Sequence, residues 1–198
     1  MTVLATHVIL SMYGFWPPND PRGSGSNYVG SRDLFLAGGK ATKVETRHSL
    51  AAKPHDRKKR AEIIAALKYP PVVLNGKQAR AVGQGFATVE HPIYACAIMP
   101  EHAHLVLGRS TLPAKKIVEL LKAAAEEHLR NENIFPVCET IWAHGCWQVF
   151  LNTPTDVHRT IQYVNDNPIK AKLKPQRWSF ITCLCPFDKP VPFFIAGT

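Results

Sequence analysis

Runs and alternations of apolar residues divide this chain into strands and helices. The stretch "THVILSMYGF" (6–15) is β-branched and aromatic and predicts a first strand. Next, "WPPNDPRGSGS" gathers Pro, Gly, Asn and Asp into an irregular loop, and mixed polar sequence suggesting short strands runs on to about residue 50. The stretch "HDRKKRAEIIAALK" predicts a helix with Ile63, Ile64 and Leu67 facing a core. A second helix is expected from Asn75 to about Val89, weakened by Gly83 and Gly85. "PIYACAIMP" (92–100) and "HAHLVLGR" read as two strands, antiparallel because only Pro100 and Glu101 link them. "LPAKKIVELLKAAAEEHLRNEN" carries an apolar stripe of Ile117, Leu120, Leu121, Ala124 and Leu129, with Pro113 near its start. "GCWQVFLNT" (145–153) is a fourth strand. A last helix starts at Thr153, whose hydroxyl suits an N-cap, with Pro154 first and Asp156 completing a capping-box variant. Pro168 disfavours helix at Asn167, where that helix should end.

Strand, helical insertion, strand, strand, helix, strand, helix is the order of an α+β, ferredoxin-like antiparallel sheet with helices on one face. The other face is then open to hold a site. The 198 residues suit a single domain, 1–198, in which 16–91 form a basic insertion after the first strand. No apolar run approaches the roughly 18 residues of a membrane span, and the start lacks the basic region and small-residue site of a secretory signal. The five cysteines, Cys96, Cys138, Cys146, Cys183 and Cys185, have no framework spacing and read as reduced thiols. A cytoplasmic chain with no membrane partner is the expectation.

The net charge of +9 is unevenly placed. Residues 40–80 hold eleven basic and three acidic residues, a net +8, with Arg57, Lys58, Lys59 and Arg60 in a row. Four more cations and no acid lie between Asn167 and Arg177. Two such concentrations favour a polyanionic partner.

Period-2 alternation in "MPEHAHLVL" puts His102, His104 and Val106 on one side of a strand and Ala103, Leu105 and Leu107 on the other. The apolar set belongs against helices, so both imidazoles point to the open face, close enough to share one divalent metal. Val106 stands where an H-x-H-x-D hydrolase needs an acid, and Leu107, Gly108 and Arg109 stand where a cupin needs its carboxylate. The chain is also too short for a metal-dependent barrel hydrolase. In the last helix Val157, Ile161 and Val164 share a packing side. Asp156, Thr160, Tyr163 and Asn167 form an adjacent stripe, with Tyr163 and Asn167 one turn apart.

Taken in order, "PEHAHLVL", a long helix, "GCWQVFLNT" and "YVNDNPIKAKL" resemble the HUH-type single-tyrosine transposases, and the last motif resembles their REP-associated tyrosine transposase branch. The resemblance covers about residues 92–173, with the first strand as a further match. It implies the HUH endonuclease fold, His102, His104 and Asn167 as ligands of Mg²⁺ or Mn²⁺, and Tyr163 as nucleophile. It further implies metal-dependent nicking and strand transfer of single-stranded or hairpin DNA through a 5′-phosphotyrosine link, by a monomer or homodimer. Arg57, Lys58, Lys59, Arg60, Lys170 and Lys172 are then candidate DNA contacts. Trp16, Tyr28 and Trp147 are candidates for stacking on bases. Two other readings compete: a catalytically silent DNA-binding protein of the same fold, and a small metal hydrolase that leaves Tyr163 and the basic insertion without a role.

Overall fold

Four strands form one antiparallel sheet in the computed structural model, which describes residues 2–46, 48, 50–134 and 140–184. They are β1 (Ala5–Ser11), β2 (Ile93–Ile98), β3 (His102–Gly108) and β4 (Trp147–Leu151), in the order β2-β3-β1-β4. The helices are α1 (Arg32–Gly38), α2 (Arg57–Ala65), α3 (Gly76–Ala87), α4 (Ala114–Asn131) and α5 (Pro154–Lys170). The fold is α+β and ferredoxin-like, with α3 and α4 as the two crossovers and α1 and α2 inside the insertion. Among the described residues no helix is long and apolar enough to cross a membrane. Cys96, Cys146 and Cys183 are free thiols, while Cys138 and Cys185 lie outside the described residues.

The alternation on β3 sorts its residues as the sequence predicts. Ala103, Leu105 and Leu107 join Val8 and Leu10 of β1, and Met12 just beyond it, in the main core, under Ile117, Val118, Leu121, Ala125 and Leu129 of α4. Leu120, expected in that stripe, is 52% exposed and Val118 replaces it. The opposite face is not open. There Val157 and Val164 of α5 pack on Ala5, Ala95, Ala97, Val106 and Leu151. Helices on one face therefore describe α3 and α4 only, and α5 crosses the face that carries the histidines.

Local chemistry explains most element ends. Thr153 Oγ1 accepts from the Asp156 amide at 3.1 Å and caps α5 as predicted. The helix continues past Asn167 because Pro168 sits in its final turns, where the missing N–H removes one ladder bond while the ring is buried. Asn75 and Gln78 form a capping box on α3. Its glycines, expected to weaken the helix, are close-approach positions. A Cβ on Gly85 would lie 2.6 Å from the Ala124 carbonyl oxygen and 2.6 Å from the Ala125 Cα, both α4 backbone. Gly85→Ala should thus cost about 1–3 kcal/mol by overpacking, even though alanine is the better helix former. Gly76→Ala, which meets open space at the start of the same helix, should be neutral or slightly stabilising. Urea midpoints of the two variants check the contrast.

In the insertion, the described residues of 17–50 hold α1 and an isolated bridge between Ser24 and Lys43 rather than short strands. Its anchor is Asp20, which has no solvent exposure. Asp20 Oδ1 accepts from Arg22 Nε at 2.9 Å, and Oδ2 accepts from Arg22 Nη2 at 3.0 Å and Arg60 Nε at 3.1 Å. The guanidinium of Arg22 also lies 4.0 Å over the Trp16 ring.

Candidate active site

Three histidines, two from β3 and one from β1, line up on the α5 face of the sheet. His102 Nε2 lies 3.0 Å from His104 Nε2. The other nitrogen of His104, Nδ1, lies 3.2 Å from His7 Nε2. The β1–β3 register pairs His7 with Val106 and Ile9 with His104. His7 and His104 are thus diagonal cross-strand neighbours on one face, within reach for rings of this size. Their rings stack at 5.4 Å and 18°.

Aromatic neighbours fix the row from outside. Phe15 stacks on His102 at 5.1 Å and 14°, and Trp147 of β4 meets His7 edge-on at 5.3 Å. Burial pushes His7 and His102 down to about 4. His104, only 3% exposed, is pushed down to about 2 by burial first and by its two histidine neighbours second. All three rings are therefore neutral at pH 7, the form that donates lone pairs to a metal.

The α5 stripe meets this row. The Tyr163 ring stands edge-on to His104 at 5.7 Å and to His7 at 6.0 Å, within the same chain. Tyr163 is 37% exposed, although it borders the packing side of its helix. Lys170 Nζ lies 5.4 Å over the Tyr163 ring and 3.9 Å from Asp166 Oδ2. Asn167 turns its amide nitrogen back to donate to the Tyr163 carbonyl at 3.0 Å. Among the described residues no hydrogen bond joins its side chain to either β3 histidine.

The histidine pair fits a divalent ion. Bonds of about 2.1 Å at the right angle of an octahedron span about 3.0 Å between two nitrogens, and the two Nε2 atoms stand 3.0 Å apart. Without a cation that contact holds at most one hydrogen bond. His102 Nδ1, the far nitrogen of that ring, is buried with no hydrogen-bond partner among the described residues. Among the described residues no group of three or more His, Cys, Asp or Glu side chains is set to hold a metal. Two imidazoles alone would leave the other positions around a divalent ion to oxygen donors.

The remaining candidates divide by position. Arg57, Lys58 and Lys59 are exposed on α2, and Lys172 is exposed beyond α5. Arg60 turns inward, with Nε on Asp20 and Nη2 donating to the Phe15 carbonyl at 2.9 Å. One turn separates it from Ile63, the buried residue of α2, so both share the inner face. Trp16 packs inside the insertion under Arg22, Trp147 packs on His7, and Tyr28 is 75% exposed. Sequence reasoning missed His7 and Phe15. The signal for His7 is in β1 itself, where Val8 and Leu10 alternate inward and leave His7 on the opposite side, one strand from His104.

No protein-family model matches the chain, and no curated protein matches its sequence. Among solved structures the chain is similar to a REP-associated tyrosine transposase bound to a REP hairpin, at 10% identity and a TM-score of 0.42. The match covers 86% of this chain and 70% of that one.

Proposed function

We propose that this chain nicks single-stranded DNA and transfers the cut strand through a covalent bond to Tyr163, with a divalent metal held by His102 and His104. One observation carries the reading: a partly exposed phenol stands edge-on to His104, beside two neutral imidazoles spaced for one cation. A small metal hydrolase has no use for that phenol.

In the proposed step the Tyr163 oxygen loses its proton and attacks the phosphorus of a phosphodiester. The phosphorus–O3′ bond breaks, the departing O3′ takes up a proton, and the 5′ side stays on the tyrosine as a phosphodiester. The bond energy is conserved for rejoining, so no nucleotide cofactor is consumed. Mg²⁺ or Mn²⁺ at the histidine pair supplies Lewis-acid polarisation of the scissile phosphate. Asn167 lies one turn from Tyr163 as the candidate third ligand, which requires its amide to swing from the Tyr163 carbonyl. The cations of Arg57, Lys58, Lys59, Lys170 and Lys172 offer phosphate contacts along the strand. With Arg60 engaged by Asp20, the share of that surface from the HDRKKR run falls to Arg57, Lys58 and Lys59 on the outer face of α2.

Mixing the protein with end-labelled hairpin oligonucleotides that carry single-stranded flanks tests the proposal. A denaturing gel should show a covalent protein–DNA band with Mn²⁺ or Mg²⁺ and none with EDTA. Cleavage without the band would overturn the tyrosine route. Salt-sensitive binding with no cleavage under any divalent ion would favour a catalytically silent DNA-binding protein.

A further inference from the structure

We propose that His7 is the positioning residue for the metal ligand His104. It accepts a hydrogen bond from His104 Nδ1 and so fixes the tautomer in which His104 Nε2 is free for a cation. This rests on the reading of His102 and His104 as a metal pair.

A neutral imidazole carries one proton on one of two nitrogens. If His104 offers the Nε2 lone pair beside His102, its proton must sit on Nδ1. That N–H is inside a ring only 3% exposed, and a buried donor without an acceptor is costly. The group facing it is His7 Nε2, at 3.2 Å. His7 is itself buried, only 6% exposed. As the tautomer with its proton on Nδ1 it presents a lone pair at Nε2. The near-parallel stacking of the two rings at 18° and the edge of Trp147 on His7 restrict both from rotating.

The geometry makes His7 a support and not a third ligand. Its nitrogen meets Nδ1 of His104, whereas the cation position lies at Nε2, next to His102. The relation is that of a metal-bound histidine whose second nitrogen is held by an outer partner, here an imidazole in place of the usual carboxylate or carbonyl. The metal-free protein allows a second arrangement. There the same row can run the other way, His7 Nε2–H donating to His104 Nδ1 and His104 Nε2–H donating to His102 Nε2. With a cation at His104 Nε2 the proton there would be lost to solvent, the first bond would reverse as its proton passes from His7 Nε2 to His104 Nδ1, and His7 would take up a proton at Nδ1, so that each ring stays neutral.

Two measurements test this. Mn²⁺ binding by calorimetry should weaken about 10- to 100-fold in His7→Phe, which keeps a ring but has no acceptor. His7→Gln, which restores an acceptor oxygen, should recover binding to within a few-fold of the parent. Equal Mn²⁺ affinity in His7→Phe and the parent overturns the role of His7 while leaving the metal pair standing. A parent protein that binds no Mn²⁺ overturns both. The second measurement needs no variant. In ¹⁵N-histidine-labelled protein with Mg²⁺, long-range ¹H–¹⁵N spectra should show His104 protonated at Nδ1 and His7 bare at Nε2. His7 protonated at Nε2 in the loaded protein would overturn the proposal.

Discussion

A Tyr163→Phe protein should fold as the parent does and form no covalent adduct with DNA. The substitution removes one oxygen and keeps the ring that meets His104 and His7 edge-on. The residue is 37% exposed, so the change in stability should stay within about 0.5 kcal/mol. Deleting a nucleophile, in contrast, removes the step itself, and strand cleavage should fall on the order of 10⁴-fold or more. DNA affinity and Mn²⁺ affinity should both stay close to the parent's, because neither the basic groups nor the imidazoles are altered. That combination of intact binding, intact metal and no adduct separates a nucleophile from a base-stacking residue. An aromatic that stacks on DNA would keep its function as phenylalanine. A full-strength adduct in Tyr163→Phe would remove Tyr163 from the mechanism.

Much of this site is written in local pattern, and what is not depends on packing between distant segments. The period of two on β3 places His102 and His104 on one face, because apolar neighbours at 103, 105 and 107 leave no other arrangement. The cap at Thr153 and the Val157–Val164 spacing define α5 and put Tyr163 beside its packing side. Neither pattern says which face of the sheet α5 will cover, since an apolar helix stripe fits either side. The answer lies in the small residues Ala5, Ala95 and Ala97, which leave room for a helix on the histidine face. The HDRKKR run looks uniform as sequence. Helical geometry separates it, sending Arg57, Lys58 and Lys59 to solvent and Arg60 to the side of Ile63. His7 needed the fold as well as the pattern, because it matters only once β1 is known to lie beside β3.

Replacing Asp20 should be the most damaging single change to stability, and its effect should reach the histidines. The carboxylate has no solvent exposure and neutralises Arg22 and Arg60 together. Asp20→Ala leaves two guanidinium groups without their shared anion, a loss of about 3–5 kcal/mol for a buried pair, against a total stability of about 5–15 kcal/mol for a typical domain. Arg60 also holds the Phe15 carbonyl, and the Phe15 ring stacks on His102. Loosening Arg60 should therefore free the His102 ring and weaken Mn²⁺ binding severalfold, in a variant that alters neither histidine of the proposed metal pair. Urea unfolding and Mn²⁺ titration at a temperature where the variant stays folded check both effects. Acid gives an independent reading. Burial raises the Asp20 carboxyl, but its bonds to Arg22 and the charges of Arg22 and Arg60 outweigh burial and hold it below the usual carboxylate range. The unfolded chain then takes up this proton before the native protein does. The stabilisation is present in full above the ordinary aspartate range and is lost as pH falls through the lowered native value. The urea midpoint of the parent should drop more steeply than that of Asp20→Asn as pH is lowered from 5 toward 3. Parallel acid limbs for the two proteins would mean that this carboxylate is not what ties the insertion to the sheet.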